Sequence, residues 1–170
     1  NSFTITAPTV DDTSVESPET LILTVGGVAA TGTITDNDRP AVASVTAEDA
    51  ATAVGSGDNV VEEGDSLRYT VGLTDPTVAP IELSFAPSGS AAAADYGSYV
   101  FSNGVTYNAQ TGNITVPAGV TSFTVTVPTV DETSVDSPET LIVTVGGVAA
   151  TGTITENDRH RSEERPEGED

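Results

Sequence analysis

Acidic side chains are concentrated in two short segments near the end of the sequence. The first holds four carboxylates in nine residues and the second follows the last apolar run: Asp131, Glu132, Asp136 and Glu139, then Glu156, Asn157 and Asp158. Calcium binds about six to eight oxygen ligands in flexible geometry, whereas magnesium needs a near-ideal octahedron. Because neither segment contains His or Cys, this donor set favours calcium. The alternative is that both acidic segments are only solvated.

The same acidic segments occur twice, because the chain repeats itself with a period of 120 residues. Residues 1–39 return as residues 121–159 with 32 of 39 positions identical, and the differences within the acidic loop only exchange Asp and Glu. A period this long is typical of a tandem array of whole domains. We therefore expect 1–37 to be the C-terminal part of a preceding repeat, 38–158 a complete repeat, and 159–170 a polar tail.

Strands must position these acids, because apolar and polar residues alternate through most of the complete repeat. Leu67, Tyr69 and Val71 alternate with Arg68 and Thr70, and three further runs behave in the same way: residues 81–85, 123–127 and 141–145. A period of two predicts half-buried strands. The hairpin over residues 141–155 separates the two acidic segments. If it runs away from the acidic loop and returns, that loop and the end of the last strand meet at one pole.

Turn signals complete the fold prediction. Asn103-Gly104 and Gly146-Gly147 each separate two strand-like runs, which predicts two hairpins. With about seven strands and no convincing helical periodicity, we predict an all-β, immunoglobulin-like antiparallel β-sandwich. Residues 1–36 would supply only the last three strands of such a domain. We expect that part to lean on a neighbouring chain, to exchange strands with it, or to be poorly ordered.

Composition excludes several classes of protein. The formal net charge is -21 with only five basic residues, so the protein's own field opposes binding to nucleic acid or to anionic membranes. Abundant β-branched residues in alternating runs argue against disorder. The absence of Cys excludes disulfides and thiol chemistry. No apolar stretch approaches the roughly 20 residues that span a bilayer, so we expect no membrane insertion.

Two rival functions follow from other residues. An enzyme is not expected, because His160 in the charged tail is the only His and no Gly-rich phosphate loop follows a strand. Paired carboxylates hydrolyse glycosides in other proteins, but an ion site explains the spacing of these acids better. The stronger rival is an ice- or carbohydrate-binding module that uses alternating threonines on strand faces: Thr31, Thr33, Thr35, Thr151, Thr153 and Thr155.

Five segments occur in a fixed order in the complete repeat: residues 61–71, 94–96, 114–119, 131–139 and 153–158. Together they resemble the Calx-β domain of sodium/calcium exchangers and the related extender repeats of giant RTX adhesins, although no single segment is specific. Two features depart from that family. Residues 99–112 form an inserted hairpin, and Ser137-Pro138 stand where a further acid is common, so the number of ions per domain stays open.

The resemblance implies a set of calcium ligands. In the complete repeat they are Glu63, Asp95, Asp131, Glu132, Asp136, Glu139 and Asp158, with Glu156 as a further candidate. In the partial copy the matching positions are Asp11, Asp12, Glu16, Glu19, Asp36 and Asp38. The resemblance further implies a calcium-stabilised extender that spaces a ligand-binding region of a cell-surface adhesin from the cell. Type I secretion and an extracellular location follow from the same resemblance.

The junction between the two copies forms a separate hypothesis. Pro40 restricts a linker of almost no length, and acids from both sides would share an ion that locks the two units in line: Asp36, Asp38, Glu48 and Asp49. The alternative is that Glu48 and Asp49 are ordinary surface residues at a strand end. The expected partners are neighbouring repeats of the same chain, with a domain-swapped contact through residues 1–37 as an open alternative.

Overall fold

The computed structural model describes residues 1–158. These residues form strands and turns without a helix, as the sequence pattern predicts. The strands are β1 (Glu19–Val25), β2 (Val28–Ile34), β3 (Val42–Asp49), β4 (Val60–Glu62), β5 (Ser66–Leu73), β6 (Ile81–Gly89), β7 (Val100–Phe101), β8 (Thr106–Asn108), β9 (Asn113–Val116), β10 (Ser122–Pro128), β11 (Glu139–Val145) and β12 (Val148–Thr155). Residues 159–170, where we predict a polar tail, lie outside the described residues.

Strands β3 to β12 form two sheets that enclose one core. One sheet has the order β3-β5-β10-β7 and the other β4-β12-β11-β6-β9-β8. All pairings are antiparallel except that of β4 with β12, which is parallel. The alternating runs bury one face each, as predicted: Leu67, Tyr69, Val71, Phe123, Val125, Val127, Leu141, Val143 and Val145 are all buried.

A tyrosine connects the two sheets through the core. The Tyr69 hydroxyl, in the first sheet, donates a hydrogen bond of 2.6 Å to the Leu141 carbonyl oxygen in the second. Room for this contact comes from Gly152, where a Cβ would lie 2.7 Å from the Leu67 methyl groups and 2.9 Å from the Tyr69 hydroxyl. The sheets therefore approach more closely here than any side chain at position 152 would allow.

Of the two predicted hairpins, one is confirmed and one is wrong. Gly146-Gly147 turns the chain with two positive φ angles, and β11 pairs with β12 on either side. Asn103-Gly104 also has two positive φ angles. However, β7 pairs with β10 in the first sheet, whereas β8 pairs with β9 in the second. This turn therefore carries the chain from one sheet to the other, and its flanking strands do not form a hairpin.

The partial copy forms a hairpin and lacks the predicted third strand. β1 and β2 pair with the same register as β11 and β12, 120 residues earlier. Residues 1–8, which match the region of β10, are not in a strand. β10 is held by β5 on one side and β7 on the other. Residues 1–8 have neither partner, and a strand is stable only when its backbone groups are paired.

Candidate functional site

One end of the two-sheet domain collects loops from both sheets. The strand register places the end of β4 beside the end of β12, and the start of β5 beside the end of β10. The loop before β7 reaches the same end, because Val130 N–H donates a 2.8 Å hydrogen bond to the Asp95 carbonyl oxygen. We call this end the acidic pole, defined by Glu63, Asp95, Asp131, Glu132, Asp136, Glu139, Glu156 and Asp158.

Glu63 lies at the centre of three acidic neighbours. The Glu132 N–H points to the Glu63 carboxylate at 3.5 Å. Burial raises the pKa of Glu63, and the negative charges of Glu156, Glu132 and Asp131 raise it further, against the lowering effect of the Glu132 N–H. The turn at Gly64 has a φ of +86°, and a Cβ there would lie 3.3 Å from Asp131 Cβ. The backbone therefore brings these acids together despite their repulsion.

Asn157 ties this group to the final strand. Its side-chain amide donates to the Glu63 carbonyl oxygen at 3.0 Å and to Asp131 Oδ1 at 3.2 Å. Sequence reasoning did not include Asn157 among the site residues. The available signal was its position between Glu156 and Asp158 after the last strand. An amide side chain is a neutral donor and can hold neighbouring carboxylates in place.

A second pair forms between Asp95 and Glu139. Burial raises the pKa of Glu139 above its ordinary value, and a hydrogen bond shared with the Asp95 carboxyl group raises it further. Asp95 also accepts a hydrogen bond from the Ala92 N–H, which fixes the loop before β7. The negative charges of Asp95, Asp136 and Glu132 add to this rise, so Glu139 lies among acidic neighbours.

Glu156 organises the acidic loop through backbone hydrogen bonds. Its carboxylate accepts the Asp136 N–H at 2.9 Å and the Asp158 N–H at 2.8 Å. These two bonds hold the pKa of Glu156 below its ordinary value despite some burial. Glu156 thus remains ionised at the acidic pole and joins the loop after β10 to the end of β12.

Asp158 has a carboxylate oxygen that the described part of the chain does not satisfy. Its Oδ2 atom is buried and has no hydrogen-bond partner among residues 1–158. A buried carboxylate oxygen without a donor or a cation is unfavourable, because it loses its water without replacement. Within the same residues, no three acidic side chains lie close enough together to hold a metal ion as they stand. The acidic pole therefore brings oxygen donors to one end of the domain without gathering three of them around one point.

The partial copy reproduces part of this arrangement. Asp36 accepts the Glu16 N–H at 2.7 Å and the Asp38 N–H at 3.0 Å, the bonds that Glu156 makes in the complete repeat. The hydrogen bond from the Asp38 N–H contributes most to lowering the pKa of Asp36, followed by the one from Glu16. Here the acids line an open cleft of about 460 Å³: Asp11, Asp12, Glu16, Glu19, Asp36 and Asp38. The partial copy has no counterparts of Glu63 and Asp95, which complete the acidic pole in residues 38–158.

The prediction that Glu48 and Asp49 share an ion with Asp36 and Asp38 is wrong. Glu48 lies six residues beyond the start of β3, about 20 Å away along an extended strand. Its buried carboxylate instead accepts a hydrogen bond of 3.0 Å from Arg68 and one of 2.6 Å from the Gly55 N–H. Asp49 Oδ1 accepts the Ala51 N–H at 2.8 Å, which closes a local turn.

Asp75 is the acid that the second unit brings toward the junction. Burial raises the pKa of Asp38, and the negative charges of Asp36, Asp11, Asp12 and Asp75 raise it further. Asp75 follows β5, whose last residue, Leu73, pairs with Val42 at the start of β3. Sequence reasoning missed it, because only the strand register shows that the loop after β5 lies beside the linker.

The threonine faces differ between the two copies. Thr31, Thr33 and Thr35 are exposed, whereas Thr153 and Thr155 are half-buried beside β4. The Thr155 hydroxyl donates a 2.9 Å hydrogen bond to the Val61 carbonyl oxygen. In the complete repeat, this face therefore serves partly to hold β4.

Comparison with known proteins adds no family to these observations. No protein-family model matches the chain, and no curated protein is significantly similar to it. Residues 1–158 contain no helix that is long and apolar enough to cross a bilayer.

Proposed function

We propose that residues 38–158 are a calcium-stabilised, immunoglobulin-like structural domain of the Calx-β type. The observation that carries this proposal is the buried Asp158 Oδ2 atom, which lacks a partner among the described residues and lies in a group of eight acidic side chains. Burial, and then the negative charges of acidic neighbours, raise the pKa values of Glu63 and Glu139 at the same pole. A divalent cation supplies that charge, and oxygen donors of this kind suit calcium.

The protein itself offers little positive charge to this pole. Arg39 and Arg68 are the only basic side chains in residues 1–158. Arg68 is engaged by Glu48 and by the carbonyl oxygens of Ala50 and Thr52. A calcium ion would draw the carboxylates inward and replace repulsion by ligation, so that folding and ion binding become coupled.

The proposed role of the domain is mechanical. Two copies follow each other through a linker in which Pro40 is buried. The Thr74 N–H donates a 2.9 Å hydrogen bond to the Ala41 carbonyl oxygen, and the Ala41 N–H donates one of 3.0 Å to the Thr74 hydroxyl. The acidic end of the first copy therefore faces the loop that carries Asp75 in the second. We propose that an ion at this joint stiffens the array, which acts as an extender of a cell-surface adhesin.

Calcium coupling links this role to an extracellular location. A site with a dissociation constant of about 0.1 mM gains about 1.4 kcal/mol of stability in roughly 1 mM calcium. Submicromolar cytosolic calcium adds almost nothing to the same site. A domain of this type would become rigid only after export from the cell.

Isothermal titration with calcium tests the ligand assignment. We expect Asp158→Asn to weaken calcium binding by at least about tenfold, because it removes a charged ligand while preserving side-chain volume. Asp58→Asn is the matched control, since Asp58 is exposed in the loop before β4 and belongs neither to the acidic pole nor to the joint between the copies. Equal affinities for both variants and the unaltered protein would contradict a site at Asp158.

A further inference from the structure

Among residues 1–158, nothing covers the inward face of the β1–β2 hairpin, which carries Leu21, Leu23 and Val25. Leu21, Leu23 and Val25 are 44 %, 42 % and 45 % exposed. Ahead of the hairpin, Phe3 is also exposed. Monomeric proteins rarely leave an organised row of large apolar side chains uncovered. This face is therefore expected to bind another polypeptide surface.

The chain itself shows what covers such a face. The residues 120 positions later have the same or closely similar apolar side chains, and all of them are buried in the core: Phe123, Leu141, Val143 and Val145. β11 pairs along its outer edge with β6, from Leu141 opposite Gly89 to Val145 opposite Phe85. Apart from β10, whose counterpart is residues 1–8, the elements that form the core with β11 come from residues 41–120.

The second unit of the same molecule cannot provide that cover. Its binding surface is already filled by residues 121–158. The linker is also too short: Asp38 precedes Val42 by four residues, which span at most about 14 Å. Asp158, the counterpart of Asp38, lies at the acidic pole near the start of β5, whereas Val42 pairs with Leu73 at its other end, about 23 Å away.

We propose that the inward face and free edge of β1–β2 are a docking surface for a polypeptide segment with the sequence of residues 41–120. In the docked state, the β6 strand of that segment pairs with β1 in the register Leu21 opposite Gly89 and Val25 opposite Phe85. Identity at 32 of 39 positions between residues 1–39 and 121–159 makes the surface complementary to this segment. The proposal depends on neither calcium nor the spacer function.

The test supplies this segment in front of the complete chain. Residues 41–120 are fused ahead of residue 1, and an unstructured Gly/Ser extension of equal length serves as the control. Hydrogen exchange then measures the amides of β1 against those of β11 in the same molecule. We expect the added segment to raise protection of β1 by at least about 100-fold, toward that of β11, and the Gly/Ser extension to leave it unchanged.

Two substitutions on opposite faces of β1 separate docking from simple hairpin stability. Leu23→Asp places a charge on the inward face, whereas Ile22→Asp places it on the outward face, where Ile22 is 62 % exposed. We expect Leu23→Asp to remove the protection gained with the added segment and Ile22→Asp to retain most of it. All of these measurements are made at one fixed calcium concentration.

Three results would overturn the proposal. The first is equal protection of β1 with either extension. The second is an equal effect of Leu23→Asp and Ile22→Asp. The third is protection of β1 in the unextended chain that rises with protein concentration together with dimers in sedimentation, because a second copy would then be the occupant.

Discussion

A leucine that occurs in both copies provides a direct test of how differently the two are packed. Leu21 and Leu141 occupy equivalent positions in β1 and β11 and stand in nearly identical sequence. Leu141 is fully buried between the sheets, whereas Leu21 is 44 % exposed. The same substitution to alanine therefore removes core packing at one site and surface contact at the other.

The expected magnitudes differ several-fold. Leu141→Ala deletes a fully buried side chain and should lower the free energy of unfolding by about 2–5 kcal/mol. For a domain of this size, that corresponds to a fall of about 8–20 °C in the unfolding midpoint. Leu21→Ala acts on a partly exposed residue outside the core, so its effect should stay within about 0.5 kcal/mol, or about 2 °C.

Circular dichroism during heating, at one fixed calcium concentration, measures both variants against the unaltered chain. The reasoning would be refuted if Leu21→Ala lowered the midpoint as much as Leu141→Ala. That outcome would mean that the β1–β2 face is packed into the cooperative unit. A negligible effect of Leu141→Ala would equally contradict the core assigned to residues 42–155.

Two further predictions concern packing and pH. Gly152→Ala should destabilise the complete repeat by about 1–3 kcal/mol because its Cβ would overlap the core. Gly32→Ala is the control and should be neutral, because a Cβ at Gly32 meets no atom closer than 4.0 Å. Urea unfolding measures both variants. In EDTA, the unfolding midpoint should rise as the pH falls from 7 toward about 5. The pKa values of Glu63 and Glu139 are raised above their ordinary value of 4.5 in the folded state, so in this pH range the folded state binds more protons than the unfolded state. Saturating calcium should abolish this rise, and a midpoint in EDTA that falls steadily over the same range would contradict the assigned shifts.

The strands were predictable because apolar residues at every second position mark the face of each strand that is buried. Leu67, Tyr69 and Val71 need no knowledge of their partners to be assigned to a buried face. Which strands pair with each other was harder to predict from the sequence. The Asn103-Gly104 signal identifies a turn from its backbone requirements, but it does not specify which sheet each flanking strand joins.

Residues 1–8 do not form the predicted third strand of the partial copy, again because strand pairing cannot be derived from local sequence. Residues 1–8 are closely similar to a segment that forms a strand 120 residues later, yet they do not pair. Strand formation depends on neighbours distant in sequence, and those neighbours are β5 and β7 in the complete repeat. Local pattern alone therefore overestimates the structure of residues 1–37.

The meeting of the acidic loop with the end of the last strand was predictable, but the contacts of individual acids were not. The loop before β11 and the end of β12 meet as expected, since the hairpin between them runs away and back. Glu48 was assigned to the junction by proximity in sequence, although an extended strand carries it to the opposite end. Asp75 is distant in sequence from Asp38 but near it in the fold, and only strand register reveals such a pair.

The central claim is that calcium is part of the folded state of the complete repeat. Thermal unfolding of the whole chain in EDTA, in calcium and in magnesium at matched ionic strength tests it most directly. The account predicts a large rise of the midpoint that is specific to calcium, with each site of about 0.1 mM affinity adding about 1.4 kcal/mol in roughly 1 mM calcium. Equal, small shifts with calcium and magnesium would show that the acids at this pole only attract screening ions, and would contradict the proposed function.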